Sequence, residues 1–425
     1  MNVLIMFFSF LLLLAGGIPI AFCLGVSCFI YTYLADIPVI VLAQKMYGGL
    51  NSFTLLCIPG FILAGELMNS GGLSDRIIKF CNSFVGNIRG GLAQANIVAS
   101  MVFAGISGTA LADVASLGAI LIPAMEKEGY DVDFSCAVTA SSSTIGPIIP
   151  PSTPMVIVGT LTGLSVGKMF VAGVIPGILL GVGQMILTYY LSVKRNYPKS
   201  GKYTWAERLH EFRYAFWSLL MTIIILYGII GGIFSPTEAS IVACLYALLV
   251  GIFIYRGLNH RNLPRIFINS AITTTGIMVL VGFANCFAWI LTTERVPKMV
   301  ADLLFSISTN KFVVLLLINI FLLFVGTFME TIAALLTLFP TLLLIAQQIG
   351  VDEIQFGVIV VLNLVIGLTT PPVGVCMFVA ASIGKISLSR FTKANLPFLL
   401  LNIGILLLIT YIPPLTTWLP SFMGK

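Results

Sequence analysis

Two short segments combine the residue types that could bind a sodium ion inside a membrane. IGPIIPPSTPM covers residues 145–155 and IGLTTPPVGVC covers residues 366–376. Because proline lacks an N–H and restricts the residue before it, Pro150 and Pro371 must interrupt their helices and free carbonyls about one turn upstream. Carbonyl and hydroxyl oxygens are the ligands of hard cations, and unpaired backbone in a membrane needs such a partner. The two motifs therefore indicate two candidate cation sites.

The two motifs occupy equivalent positions of an internal repeat. The numbers of Pro371 and Pro150 differ by 221, and this offset holds without a gap back to Phe103. A single Pro-Pro pair is typical of a simple proline kink, whereas two pairs in register favour paired halves of a transport site. The same offset pairs Phe103 with Phe324, Gly105 with Gly326, Gly129 with Gly350 and Asp131 with Asp352.

Each motif is preceded by an apolar stretch with a polar interruption. The stretches cover about 92–126 and 312–349, and they are interrupted by GISGTA and VGTFME. We predict two re-entrant hairpins whose tips approach the broken helices, because small residues allow close backbone contact and half-helix N-termini favour anions. For Thr327 to Glu330, a T-x-x-E capping box is the alternative interpretation.

Further polar residues near the first break are candidates for lining a substrate site. Ser142 and Ser143 lead into the break, and such hydroxyls either bond back to the previous turn or face a bound solute. Asp113 follows the first hairpin tip by about one turn, where a carboxylate serves either as a cap or in an ion site. The predicted substrate-lining set is Ser142, Ser143, Thr153, Thr369 and Asp113.

The composition requires a membrane environment. The chain is 58% hydrophobic and 9% charged, against about 25% charged residues in soluble domains, which indicates an all-α polytopic membrane protein. The net charge of +6 does not indicate nucleic-acid binding, because the basic residues lie in short loops between apolar spans. With only two histidines and no clustered cysteines, we expect no enzyme activity and no cofactor.

The apolar stretches predict nine membrane crossings. We place them near 3–34, 52–69, 132–164, 168–193, 214–233, 238–255, 266–291, 355–384 and 395–412.

The distribution of Lys and Arg predicts the orientation. With a cytoplasmic N-terminus and a periplasmic C-terminus, most of the 22 basic residues fall in cytoplasmic loops, as the positive-inside rule requires. The two repeats then begin on opposite sides and are inverted relative to one another. The basic residues left outside are Lys45, Lys168, Arg295, Lys298, Lys311 and Lys425.

These features divide the chain into five parts. A leading helix and connector occupy 1–50, and the first repeat occupies 51–193 with its hairpin at 92–126 and its broken helix at 132–164. A basic cytoplasmic connector and helix pair occupy 194–265. The second repeat occupies 266–393 with its hairpin at 312–349 and its broken helix at 355–384, and a C-terminal helix occupies 394–425.

At these motifs the chain resembles the large transmembrane subunit of tripartite ATP-independent periplasmic (TRAP) transporters. The resemblance covers essentially the whole chain, and its motifs are highly specific. They are SGTALADVASLGAILIPAMEKEGYD at 107–131, SSTIGPIIPPSTPMVIVG at 142–159, FSPTEA at 234–239, GTFMETIAALL at 326–336 and GLTTPPVG at 367–374.

The resemblance implies a sodium-driven secondary transporter with the elevator architecture of the ion-transporter superfamily. In such proteins the hairpins and broken helices slide past a scaffold of flanking helices, and Na⁺ is the coupling ion. Carrying over the family's pattern places one Na⁺ site at Ser107, Thr109, Gly146, Ile149 and Pro150. The repeat offset places the second at Gly326, Glu330, Gly367, Thr370 and Pro371.

The resemblance also implies partners and a class of substrate. The expected partners are a small four-helix membrane subunit, here a separate polypeptide, and a periplasmic substrate-binding protein that delivers an organic acid. The inner membrane of a bacterium is the expected location. The form SSTIGPIIPPSTPM favours N-acetylneuraminate (sialic acid) as substrate. The alternatives are a C4-dicarboxylate, another sugar acid, or a stand-alone anion:sodium symporter that needs no binding protein.

Overall fold

The computed structural model describes residues 2–199, 201, 203–371 and 373–423, without the side chains of residues 15, 73, 74 and 105–107. The regular structure of this part of the chain is helical throughout. The first ten helices are α1 (Asn2–Ala15), α2 (Ile20–Leu34), α3 (Ile40–Leu50), α4 (Cys57–Ser70), α5 (Leu73–Val85), α6 (Gly91–Ser107), α7 (Ala110–Lys127), α8 (Val132–Ser143), α9 (Thr153–Thr162) and α10 (Val166–Lys194).

Ten more helices follow in the second half. They are α11 (Trp205–Ile230), α12 (Pro236–Leu249), α13 (Leu263–Thr293), α14 (Val296–Ile307), α15 (Lys311–Gly326), α16 (Thr331–Gln348), α17 (Glu353–Gly367), α18 (Val375–Ile383), α19 (Leu388–Tyr411) and α20 (Pro414–Thr417). Short 3-10 turns at Phe53–Leu56 and Pro420–Phe422 and a π-helical turn at Val250–Ile254 complete the set.

Seven of these helical segments are long and apolar enough to cross a membrane, by length and composition. Six of them coincide with crossings predicted from the sequence. The seventh, α16, belongs to a predicted hairpin. One boundary differs, because α11 begins at Trp205 instead of near residue 214, and Thr204 and Glu207 form a capping box at this start. The chain is thus a multi-pass membrane protein.

The predicted single crossing at 3–34 is wrong. The chain turns at residues 16–19, and α1 and α2 pack against each other as an antiparallel hairpin. The Asn2 side-chain amide donates to the Leu34 carbonyl at 3.2 Å, so both ends of the hairpin meet. If the remaining crossings lie as predicted, the N-terminus shares the side of Lys45 rather than the opposite side. The positive-inside rule could not orient this hairpin, because no Lys or Arg precedes Lys45 in the sequence.

The two predicted hairpins and the two broken helices are present. α6 and α7 form the first hairpin, and their outer ends converge because the Gly90 N–H and the Tyr130 hydroxyl both donate to the Pro198 carbonyl, at 3.0 and 3.5 Å. α15 and α16 form the second, where the Lys311 ammonium donates to the Gly350 carbonyl at 2.7 Å. The broken helices are α8 with α9 and α17 with α18.

The helices repeat with the spacing found in the sequence. α17 begins at residue 353 and α8 at residue 132, a difference of 221, and α16 and α7 begin at 331 and 110, again 221 apart. The packing is reciprocal, because α7 contacts α18 while α16 contacts α9, and α19 contacts α8 while α10 contacts α17. Reciprocal contacts of this kind are typical of elements related by a two-fold axis.

A charged cluster fastens the start of α8 to the loop after α10. The Tyr197 hydroxyl donates to the Asp131 carboxylate at 2.7 Å, and Arg195 pairs with the same oxygen at 2.9 Å. The hydrogen bond from Tyr197, followed by that from Arg195, lowers the pKa of Asp131. The ionised carboxylate therefore stabilises the native state at neutral pH, and this contribution is lost as the pH falls through the lowered pKa.

We expect Asp131→Asn to lower the apparent unfolding temperature in detergent by about 1–2 °C at pH 7, because a half-exposed ion pair contributes at most about 1 kcal/mol. The difference from the unsubstituted chain should narrow as the pH falls below about 4, the ordinary pKa of an aspartate, and on through the lowered pKa of Asp131. Glu126→Gln, on the exposed end of α7, is the control. If the difference in unfolding temperature between Asp131→Asn and the unsubstituted chain stays constant from pH 7 to acid pH, the stabilising role of the ionised Asp131 is contradicted.

Candidate functional site

The tip of the first hairpin contacts the break of the first broken helix. Gly108 has a left-handed backbone with φ of 61°, and a β-carbon added there would lie 2.9 Å from the Pro151 carbonyl oxygen. It would also lie 3.4 Å from the backbone nitrogen of Thr153, the first residue of α9. Only glycine fits this position, since it both adopts the conformation and leaves room for the neighbouring backbone. The side chain of Ser107 lies outside the described part of the chain.

Asp113 lies against the first predicted cation site. Its side chain is buried, and Gly146 has no room for a β-carbon because the Asp113 carboxylate packs directly against its Cα. Gly146 lies in the break between α8 and α9, together with the predicted ligands Ile149 and Pro150. The structure therefore places Asp113, which was predicted to line the substrate site, next to residues of the first predicted cation site. Thr109 precedes α7 as its N-cap residue.

The hydroxyl run before the first break bonds back onto its own helix. Ser142 donates to the Thr139 carbonyl at 3.1 Å and Ser143 to the Ala140 carbonyl at 2.7 Å. Ser142 also accepts from the Ser100 hydroxyl of α6 at 2.9 Å. Neither serine lines the central cavity described below. These hydroxyls satisfy local carbonyls and attach α8 to the hairpin.

At the second predicted cation site, two backbone segments approach each other closely. The end of α15 crosses the end of α17 at Gly326 and Gly367, where a β-carbon on Gly326 would lie 3.2 Å from the Gly367 Cα. The Gly374 N–H donates to the Thr327 carbonyl at 3.0 Å, which ties the second hairpin tip to the second break. The predicted neighbours Gly326 and Gly367 are thus in contact.

The threonines of the second break point back into their helix. The hydroxyls of Thr369 and Thr370 both donate to the Ile366 carbonyl at 3.0 Å. The Thr369 carbonyl accepts from the Asn395 side chain of α19 at 3.0 Å, a contact that the sequence did not reveal. Pro371 is exposed, and Pro372 lies outside the described residues.

Glu330 caps α16 directly, so the alternative interpretation of Thr327 to Glu330 as a T-x-x-E capping box is wrong. The Glu330 carboxylate accepts from the N–H groups of Ile332 and Ala333 at 2.9 and 3.3 Å. The Thr327 hydroxyl instead donates to the Phe324 carbonyl at 2.8 Å. The turn of the hairpin occupies residues 327–329, so the N-cap residue of α16 is Glu330 rather than Thr327.

Both hairpin tips and both breaks meet at one small cavity. The cavity measures about 60 Å³, and Thr109, Pro147, Glu330 and Cys376 are among its lining residues. Four half-helices begin at or beside it, and a helix N-terminus carries a partial positive charge that favours anions. At α16 the first free N–H groups are already bonded to the Glu330 carboxylate. The first-turn residues that line it are Ala110 of α7, Pro154 of α9, Thr331 of α16 and Val375 of α18. This arrangement suits a small anion with cations beside it.

The fold is similar to that of a solved membrane protein. It matches the crystal structure of the Alcanivorax borkumensis YdaH transporter with a TM-score of 0.64, over 88% of each chain at 14% identity. That degree of identity shows the fold alone. At the level of sequence, the chain belongs to the family described as "Tripartite ATP-independent periplasmic transporter, DctM component", whose model matches residues 7–415. The expected membership of the TRAP large-subunit family is therefore confirmed.

Curated relatives include permeases for different substrates. The chain is 41% identical over 419 residues to the sialic acid TRAP transporter large permease protein SiaM of Vibrio cholerae, covering 98% of both chains. It is 40% identical over 383 residues to the C4-dicarboxylate TRAP transporter large permease protein DctM of Pseudomonas aeruginosa, covering 90% of both. The family is one of transporter permeases, and similarity alone does not fix the substrate of this chain.

We expect Gly367→Ala to destabilise the protein, because the added methyl group must displace the backbone of α15 at Gly326. Overpacking of this kind costs about 1–3 kcal/mol, which lowers the apparent unfolding temperature by about 2–6 °C. Gly404→Ala is the matched control, since Gly404 lies within α19 with nothing near an added β-carbon. Equal unfolding temperatures for the two variants contradict the close approach.

Proposed function

We propose that this chain is the large membrane subunit of a Na⁺-coupled secondary transporter that imports an organic acid. The observation that carries the proposal is the convergence of both hairpin tips and both broken helices on one cavity. Paired broken helices at a repeat interface are where secondary transporters bind substrate and coupling ions. Such convergence has no purpose in a passive membrane scaffold, and no metal cluster or nucleophile–base pair was predicted for an intramembrane enzyme.

In this proposal one Na⁺ binds between each hairpin tip and its broken helix. Carbonyls freed at the breaks are suited to this role, and the contacts of Gly108 with Pro151 and of Gly326 with Gly367 bring tip and break together. Asp113 supplies a negative charge at the first site. The first site comprises Ser107, Thr109, Gly146, Ile149 and Pro150, and the second comprises Gly326, Glu330, Gly367, Thr370 and Pro371.

The substrate is proposed to bind at the central cavity with its carboxylate toward the half-helix N-termini. N-acetylneuraminate is the proposed substrate, supported by the similarity to SiaM and by the segment SSTIGPIIPPSTPM. A C4-dicarboxylate is the second candidate, supported by the similarity to DctM at 40% identity. The half-helix N-termini suit the carboxylate of either compound, so this cavity does not select between the two substrates. Uptake measurements with each compound distinguish them.

The proposed mechanism is an elevator motion of two inverted repeats. The reciprocal packing of α7 on α18 and α16 on α9 supports a two-fold relation between the repeats. The cavity of about 60 Å³ is much smaller than the roughly 300–1,000 Å³ of ordinary ligand sites. A sugar acid therefore needs a hairpin to move before it binds, which fits a transporter that closes around its substrate.

We propose a bacterial inner-membrane location, with the C-terminus in the periplasm. Because α1 and α2 form a hairpin, this proposal puts the N-terminus in the periplasm as well, in contrast to the cytoplasmic position predicted from the sequence. The partners in this proposal are a periplasmic substrate-binding protein and a small four-helix membrane subunit made as a separate polypeptide. The alternative is a stand-alone anion:sodium symporter that needs neither.

The test is uptake of radiolabelled N-acetylneuraminate into proteoliposomes that hold this chain and its small partner. An inward Na⁺ gradient and the purified binding protein are each supplied or left out. We expect accumulation only when both are present. Accumulation without the binding protein supports the stand-alone carrier instead. If only dicarboxylates with their own binding proteins are taken up, the mechanism stands and the proposed substrate is wrong.

A further inference from the structure

Three cavities follow one another along α16. The central cavity contacts Thr331 and Ile332, a second cavity contacts Leu336 and Pro340, and a surface cleft contacts Leu344, Gln347 and Gln348. At 1.5 Å per residue, the distance from Gln348 to Ile332 is about 24 Å, which approaches the roughly 30 Å thickness of a bilayer core. The three cavities thus form a series from the outer end of the second hairpin to the site between the repeats.

The second cavity, which we name the chamber, is large enough for a sugar acid. It measures about 390 Å³ and lies between the scaffold helices α3 and α13 on one side and α9 and α16 on the other. This volume falls within the range of about 300–1,000 Å³ for ligand sites. Its lining residues include Lys45, Thr160, Asn285, Trp289 and Thr292.

Among the described residues that line the chamber, Lys45 alone carries a charge. It is half-buried, and its ammonium lies 5.3 Å from the centre of the Trp289 ring. The Asn285 side chain donates to the Lys45 carbonyl at 2.7 Å and so attaches α3 to α13 at this point. Asn285, Trp289 and Thr292 lie on one face of α13, because they are spaced by four and three residues. The chamber thus combines a cation, an aromatic face and hydroxyl and amide groups.

The surface cleft extends the chamber outward and adds further positive charge. It measures about 720 Å³, shares Thr292 with the chamber, and lies between α14 and α16. Arg295 and Lys298 line it together with one acid, Asp302. The neighbouring acid Glu294 is engaged by the Tyr31 hydroxyl. The cleft therefore leads from an exposed basic rim to the chamber.

We propose that the cleft and the chamber form an access path for the organic anion, with Lys45 as an intermediate binding site for its carboxylate. This inference rests on the proposed transport function and adds a site outside the central cavity. Trp289 offers an apolar face for a sugar ring, while Thr160, Asn285 and Thr292 offer hydrogen bonds to its hydroxyls.

The distribution of charge supports the path. The positive-inside rule disfavours basic residues in the short loops of the outer side. Yet three of the six basic residues assigned to that side, Lys45, Arg295 and Lys298, line this one path. A cleft lined by one sign of charge raises the local concentration of the opposite ion and speeds its association. Attraction of an anion therefore explains why basic residues line this path on the outer side, where the positive-inside rule disfavours them.

The first test measures the electrostatic potential inside the chamber in the full complex. Thr160→Cys is reacted with two impermeant methanethiosulfonates applied from the periplasmic side, one carrying a sulfonate and one a trimethylammonium group. We expect the sulfonate reagent to react faster than the trimethylammonium reagent. Lys45→Gln should lower the ratio of the sulfonate rate to the trimethylammonium rate about three- to tenfold. Lys45→Arg should keep the ratio, as should the control Lys168→Gln, which lies outside both cavities.

An unchanged ratio in Lys45→Gln, or no reaction of Thr160→Cys from the periplasmic side, overturns the proposal.

The second test measures the concentration of substrate at half-maximal uptake. Lys45→Gln should raise it about three- to tenfold at an unchanged Na⁺ requirement, whereas Lys168→Gln should not. If the unsubstituted complex shows no Na⁺-driven uptake, the proposed function fails. If it transports normally and Lys45→Gln matches Lys168→Gln, only the access path fails.

Discussion

The structure depends on how unpaired backbone is satisfied inside a membrane. Four helices end and restart in the interior, at the two hairpin tips and the two Pro-Pro breaks. Each interruption leaves N–H and C=O groups that lipid cannot pair, and such groups cost several kcal/mol each when unsatisfied. In the first repeat the two interruptions pack closely against one another at Gly108 and Pro151, and in the second the Gly374 N–H pairs with the Thr327 carbonyl. The same requirement leaves polar backbone at the centre, where an ion or a carboxylate can use it.

Buried amides hold the first halves of the broken helices in place. Gln184 of α10 donates to the Ser141 carbonyl at 3.1 Å and to the Asn402 side chain at 3.0 Å. In the second repeat, Asn363 of α17 donates to the Asn319 side chain at 2.8 Å. Interhelical hydrogen bonds of this kind contribute about 0.6–2 kcal/mol each in membranes. They attach α8 to α10 and α17 to α15, so the first halves of both broken helices keep their positions.

Much of this organisation was predictable because its signals are local and repeated. Proline geometry placed both breaks, and the constant offset of 221 placed α16 and α17 relative to α7 and α8. The α1–α2 hairpin was missed, because a continuous apolar run without Lys or Arg gives neither a clear stop nor an orientation. The capping role of Glu330 and the bond from Asn395 to Thr369 were not predictable either. The first depends on the conformation of a tight turn and the second on packing between helices far apart in sequence.

The central claim is that each repeat contributes one cation site. The most direct measurement is the initial rate of uptake as a function of Na⁺ concentration in proteoliposomes at saturating substrate. Two coupled sites predict a Hill coefficient between 1 and 2, which falls to about 1 in Thr370→Ala because the second break loses a hydroxyl. Thr275→Ala, which removes an exposed hydroxyl that bonds back within α13, should leave the curve unchanged. A hyperbolic curve for the unsubstituted complex, or uptake independent of Na⁺, contradicts the account.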